Sequence, residues 1–115
     1  MLSCIFCKII KGEIPGKFIH KDKNFVVFYD INPKAPLHVL IVPVKHIKSL
    51  TEVADSDKLL VGEMMLLIRN MAKRLDIAET GYKIVINNGL GSGQLVFHLH
   101  AHMLAGWRKS AHWQV

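Results

Sequence analysis

Residues 94–104 read Gln94-Leu95-Val96-Phe97-His98-Leu99-His100-Ala101-His102-Met103-Leu104. Strand side chains alternate between two faces, so the run predicts a strand over Leu95 to Leu104. His98, His100 and His102 then share one face at steps of about 6–7 Å, while Leu99, Ala101 and Met103 face a core. A merely solvated sheet face would mix Thr, Lys and Glu. Three imidazoles in a row point to chemistry instead, and two kinds fit. Imidazoles at alternate strand positions can hold zinc with an open position for water, although no carboxylate partner stands nearby in the sequence. Alternatively, a neutral imidazole attacks phosphorus with one nitrogen while the other, hydrogen-bonded to a backbone carbonyl, fixes the tautomer.

Working outward, Asn87 to Gln94 is a glycine-rich loop and Tyr82 to Ile86 a strand before it. Leu60, Met64, Leu67, Ile68, Met71 and Leu75 recur at helical three- and four-residue steps, which predicts a long helix from Ser56 or Asp57 to a point before Gly81. His38 to Pro43 is a continuous apolar run, as expected of a central strand covered on both faces. Lys17 to His20 and Phe25 to Asp30 form a hairpin around Asp22-Lys23-Asn24. A short helix runs from a cap at Ser3 to about Lys11, with Gly12 as its left-handed exit. The reading is α+β: a five-stranded antiparallel sheet with one long helix and a short N-terminal helix, in one domain over residues 1–115.

Composition narrows the functions. Hydrophobic residues are 50% and charged residues 21% of the 115, an ordinary globular balance. The net charge of +6 is scattered from Lys8 to Lys109 with no dense stripe or base-reading motif, so small anions rather than nucleic acid are the expected partners. The longest apolar stretches, such as Val39 to Val44, are too short to span a membrane. No signal-like segment opens the chain, and a cytoplasmic location is expected. Cys4-x-x-Cys7 is too closely spaced to staple a fold and points to metal or redox chemistry.

The motifs, taken together, resemble the histidine triad family, whose signature is His-x-His-x-His with apolar residues between. The resemblance extends through Cys4-Ile5-Phe6-Cys7-Lys8-Ile9-Ile10, Glu13-Ile14-Pro15, Phe28-Tyr29-Asp30-Ile31-Asn32-Pro33, Ala35-Pro36-Leu37-His38, Val42-Pro43-x-x-His46-Ile47 and Asn87-Asn88-Gly89. It is most similar to the Hint branch, which implies a homodimeric phosphoramidase acting on purine nucleotide conjugates. By that similarity His100 is the nucleophile, and His98 and His102 flank the phosphate. Asn87 and the turn carrying Gly93 and Gln94 would contact the phosphate, and Asp30 would accept both ribose hydroxyls. Phe6, Ile9, Ile14, Phe28 and Ile31 would form the slot for the base, with His38 in support. No metal is implied at the reacting phosphate. Bacterial-type relatives also imply a structural zinc on Cys4, Cys7, His46 and His98. One departure bears on rate. Leu95 stands where relatives commonly show Ser or Thr, so a hydroxyl donor beside the phosphate or leaving group is absent, a loss worth on the order of 2.7–4 kcal/mol of transition-state stabilisation. The tail, ending His112-Trp113-Gln114-Val115, also departs, and in relatives this segment shapes leaving-group specificity.

Overall fold

In the computed structural model, which describes residues 4–111, one sheet presents two apolar faces and each is covered by a helix of different length. The elements run α1 (Ile5–Ile10), β1 (Phe18–Lys21), β2 (Phe25–Tyr29), β3 (Leu37–Pro43), α2 (Lys58–Arg74), β4 (Tyr82–Val85) and β5 (Ala101–Ala105). The sheet order is β1-β2-β3-β5-β4, with every neighbouring pair antiparallel. This is the expected α+β architecture.

Local chemistry sets the element ends. In the β1–β2 turn, Asp22 Oδ1 accepts from the backbone N–H groups of Asn24 and Phe25, each at 2.8 Å, an Asx-type bond that reverses the chain. The cap of α1 is Cys4, whose Sγ accepts from the Cys7 N–H at 3.3 Å; Ser3, the expected cap, lies outside the described residues, as do His112 and Trp113. Gly12, at φ +81°, takes the left-handed turn out of that helix. α2 stops at Arg74, before Gly81 as expected, where Asp76 adopts φ 59° and the helical ladder closes.

Alternation sorts the sheet's side chains. Phe25 and Val27 of β2, Val39 and Ile41 of β3, and Ala101 and Met103 of β5 pack with Met64, Leu67, Ile68 and Met71 of α2. Val26, Phe28, Leu40 and Val42 face the other way and meet Phe6 and Ile9 of α1. β3 is therefore buried on both faces, as its unbroken apolar run foretold.

The histidine run departs from expectation. The strand begins only at Ala101, so His98 and His100 precede it. Its pairing with β3 ends at Ile41↔Ala101; the next β3 positions lead to Pro43, which has no N–H to donate. Leu99 N–H turns instead to the Ile47 carbonyl at 2.6 Å. The parity survives beyond the ladder, since Leu99 joins the α2-side core.

Met71 is 1% exposed at the centre of that core. Met71→Ala is expected to lower unfolding free energy by about 2–5 kcal/mol, read from urea midpoints at unchanged slope. A loss below about 1 kcal/mol would mean that α2 is not seated on the sheet as described.

Candidate active site

On the α1 side of the sheet a cavity of about 1210 Å³ opens between α1, the Tyr29–Lys34 turn and the loop before β5. Of the residues picked from sequence, Phe6, Ile9, Phe28, Asp30, Ile31, His38, Asn87, Gly93, Leu95, His100 and His102 line it. Ile14 packs instead against the α1-side core. Gln94 and His98 are buried outside the cavity wall.

The three triad histidines have separate partners. His100 is 6% exposed, and its Nδ1 lies 2.6 Å from the His98 carbonyl. A carbonyl only accepts, so Nδ1 carries the proton and Nε2 keeps a free lone pair. The Phe6 ring meets the imidazole edge to face at 4.9 Å and limits its rotation.

His102 belongs to a directed chain of hydrogen bonds. The Lys34 backbone N–H donates to His38 Nδ1 at 3.0 Å, so the proton of neutral His38 sits on Nε2. His38 Nε2 is 2.9 Å from His102 Nδ1 and donates to it, which leaves His102 with an Nε2–H. His100 thus offers a lone pair and His102 a donor, with ring centroids 4.9 Å apart. Burial depresses the pKa of each imidazole in this group: His38 and His100 fall below the ordinary histidine range, and His102 is pushed down to about 4. All three are neutral at pH 7. Asp30 Oδ1 accepts from Asn32 N–H at 2.8 Å, and Oδ2 lies 3.5 Å from His38 Nε2.

His98 faces elsewhere. Its Nε2–H donates to the Pro43 carbonyl at 2.7 Å, which aims the Nδ1 lone pair at two thiols, 3.3 Å from Cys4 Sγ and 3.6 Å from Cys7 Sγ. His46 Nδ1 is 3.3 Å from Cys7 Sγ. The four ligand atoms all lie within 4.8 Å of one another. Bonds of about 2.3 Å to sulfur and 2.0 Å to nitrogen give tetrahedral edges near 3.6 Å, so the set fits a metal ion. The Pro43 carbonyl is the kind of outer partner that fixes a ligating imidazole. A triad sharing one catalytic ion does not fit, since His98 points to the thiols and His102 to His38.

The glycine loop closes on itself at three N–H groups, with Ser92 and Gln94 donating to the Gly89 carbonyl and Gly93 to Leu90, while Gly93 lines the cavity. The Gln94 side chain, 2% exposed, accepts from Gly89 N–H at 2.8 Å and donates to Lys48 and Val96 carbonyls. Gln94 braces the loop, and Asn87 lines the cavity beside it. Leu40, Val85 and Leu104, which also line the cavity, were missed from sequence. They become legible once the register is known, because each sits on the same sheet face as His38 and His102.

Comparison with known proteins agrees with this geometry. The family described as "Scavenger mRNA decapping enzyme C-term binding" matches residues 3–112. Protein HitA of Neisseria gonorrhoeae is 46% identical over 104 residues, covering 90% of this chain and 96% of that protein. A HIT family hydrolase from Legionella pneumophila Philadelphia 1 superposes with a TM-score of 0.89 at 42% identity, covering 92% of this chain and 95% of its own. Another, from Clostridium thermocellum, gives a TM-score of 0.91 at 40% identity and covers 96% of both chains. This chain belongs to the histidine triad family. As a family member it pairs the histidine-bearing strand with a cavity large enough for a nucleotide.

The hydrogen bonds assign tautomers that nitrogen-15 NMR of the imidazoles reads directly. His100 is expected as the Nδ1–H form, and His38, His98 and His102 as Nε2–H forms. A dominant Nε2–H form of His100 would contradict the assignment.

Proposed function

We propose that this chain hydrolyses nucleoside 5′-phosphoramidates, AMP-type purine conjugates, through a covalent nucleotidyl–His100 intermediate. The observation that carries the reading is the Nδ1–H of His100 held by the His98 carbonyl at 2.6 Å, because it presents an Nε2 lone pair beside the cavity. Relatives named as hydrolases support the reaction class, and a Candida albicans relative of 34% identity and TM-score 0.80, covering 95% of this chain and 85% of its own, is named a histidine triad nucleotide-binding protein.

In the first step His100 Nε2 forms a bond to phosphorus as the phosphorus–nitrogen bond to the amine breaks. The departing amine must gain a proton. His102 Nε2–H faces the same space and hydrogen-bonds the leaving nitrogen, which takes its proton from solvent and departs as the free amine. In the second step water attacks phosphorus and gives up a proton to solvent, the bond to Nε2 breaks, and the mononucleotide leaves with His100 returned to its neutral Nδ1–H form. Splitting the displacement in two gives water an activated phosphorus. Asn87 contacts the phosphate region, and Asp30, with one oxygen held by Asn32, accepts the ribose hydroxyls. Phe6, Ile9, Phe28 and Ile31 flank the base.

Zinc on Cys4, Cys7, His46 and His98 is the proposed cofactor. It would supply a cross-link between α1 and the loop before β5, and the reaction needs no metal at phosphorus. We also propose a homodimer in the cytoplasm. Leu59, Met65 and Leu66, at 75%, 45% and 51% exposure on the outer side of α2, support pairing with a second copy. No helix among the described residues is long and apolar enough to cross a membrane.

His100→Asn is expected to lower release of AMP from an adenosine phosphoramidate by about three orders of magnitude. A loss of less than tenfold refutes covalent catalysis, and intact-mass detection of a nucleotidyl adduct in the wild type supports it. Leu95, 90% exposed at the cavity, places an apolar side chain where a hydroxyl could donate. Leu95→Ser is expected to raise kcat several-fold, up to about a hundredfold. An unchanged or lower kcat means that the position does not donate.

A further inference from the structure

We infer that the Cys4–Cys7–His46–His98 centre and the nucleotide cavity are thermodynamically linked, with His98 and Phe6 as the positioning residues that join them. The inference rests on the zinc reading above and goes beyond it, from a cross-link to a control on nucleotide binding. Two connections carry it.

The first runs through His98, which is fully buried and does two jobs at once. Its ring is fixed by the thiols on one side and the Pro43 carbonyl on the other. Its own backbone carbonyl accepts the His100 Nδ1–H. Whatever fixes the ring of His98 therefore also fixes the acceptor that orients the nucleophile.

The second runs through α1. This helix has six residues, too few to hold its place by backbone bonding alone. Its cap atom, Cys4 Sγ, is itself one of the ligand atoms, and Cys7 lies one turn on. Between them Phe6 projects onto Phe28 at 5.6 Å, His98 at 6.0 Å and His100 at 4.9 Å between ring centroids. Phe6 and Ile9 also form a wall of the cavity. A divalent cation bound by the thiolates turns weak sulfur–nitrogen contacts into bonds and seats the helix. A nucleotide against Phe6 and Ile9 favours the same seated position. Two ligands that prefer one arrangement of a shared element must strengthen each other, and by the same factor in both directions.

The test uses the whole chain loaded with one equivalent of zinc. Zinc affinity is measured by competition with a chromogenic chelator, with and without saturating AMP. In parallel, calorimetry measures AMP affinity in loaded and metal-depleted protein. We expect AMP to tighten zinc binding by about fivefold or more, and zinc to tighten AMP binding by a matching factor. Chelation of zinc by free AMP would act in the opposite direction and cannot imitate the effect. Phe6→Leu keeps all four ligands while trimming the bridge, and should reduce the factor toward one. Zinc affinity equal within twofold with and without AMP overturns the linkage and leaves the metal site standing. Failure to bind zinc overturns both, and failure of the loaded protein to bind AMP overturns the linkage through the nucleotide site. The comparison on wild-type protein remains decisive even where the metal-depleted form or the variant does not fold, because zinc retention is read on the loaded chain.

Discussion

The β3–β5 ladder ends where β3 approaches a proline. Up to Ile41↔Ala101 the two strands satisfy each other's backbone groups, and then Pro43 offers a carbonyl but no N–H. The chain before Ala101 must find other partners, and each one it finds has a use. Leu99 N–H goes to Ile47, the free Pro43 carbonyl takes the His98 Nε2–H, and the His98 carbonyl takes the His100 Nδ1–H. Two carbonyls at the end of the ladder, those of Pro43 and His98, thereby set the tautomers of two histidines.

The parts of this arrangement that depend on local periodicity are legible in the sequence. The α2 stripe from Leu60 to Leu75 faces the core, the apolar run of β3 is buried on both faces, and Leu99, Ala101 and Met103 pack opposite His100 and His102. What escapes depends on partners distant in sequence. Strand length near the histidines is decided by Pro43, and the orientation of His98 by thiols more than ninety positions away, the Cys4–His98 separation being 94. The internal bonds of the glycine loop are likewise hidden: its composition suits an anion-binding nest, and the N–H groups of Ser92, Gly93 and Gln94 close a turn on Gly89 and Leu90. The end of α2 falls before Gly81 as expected, and its exact place is set by Asp76, which takes the left-handed conformation.

Polarity within the cavity is unevenly arranged. The sheet face contributes His38, His102 and the neighbouring His100, whereas Ile31 and Leu95 present exposed apolar side chains at 89% and 90%. The histidines thus sit together at the buried sheet face of the cavity, and two apolar side chains stand at its solvent-facing side. The donors along Lys34, His38 and His102 all run in one direction, because the first of them is a backbone amide that cannot accept. Such a chain holds its polarity without a charged residue at its origin.

The contact between Cys4 and His98 also orders events in time. Because 94 residues separate them, α1 leaves the ribosome long before the segment it docks against has been made. The β1–β2 hairpin can pair early, through contacts close in sequence, but β3 must wait for β5, and α1 must wait for the loop just ahead of it. An element synthesised before the sheet is in that sense among the last to be placed. Docking of α1 reports that the chain has been made at least through His98, and a product truncated before His98 keeps the two cysteines without the imidazole that meets Cys4.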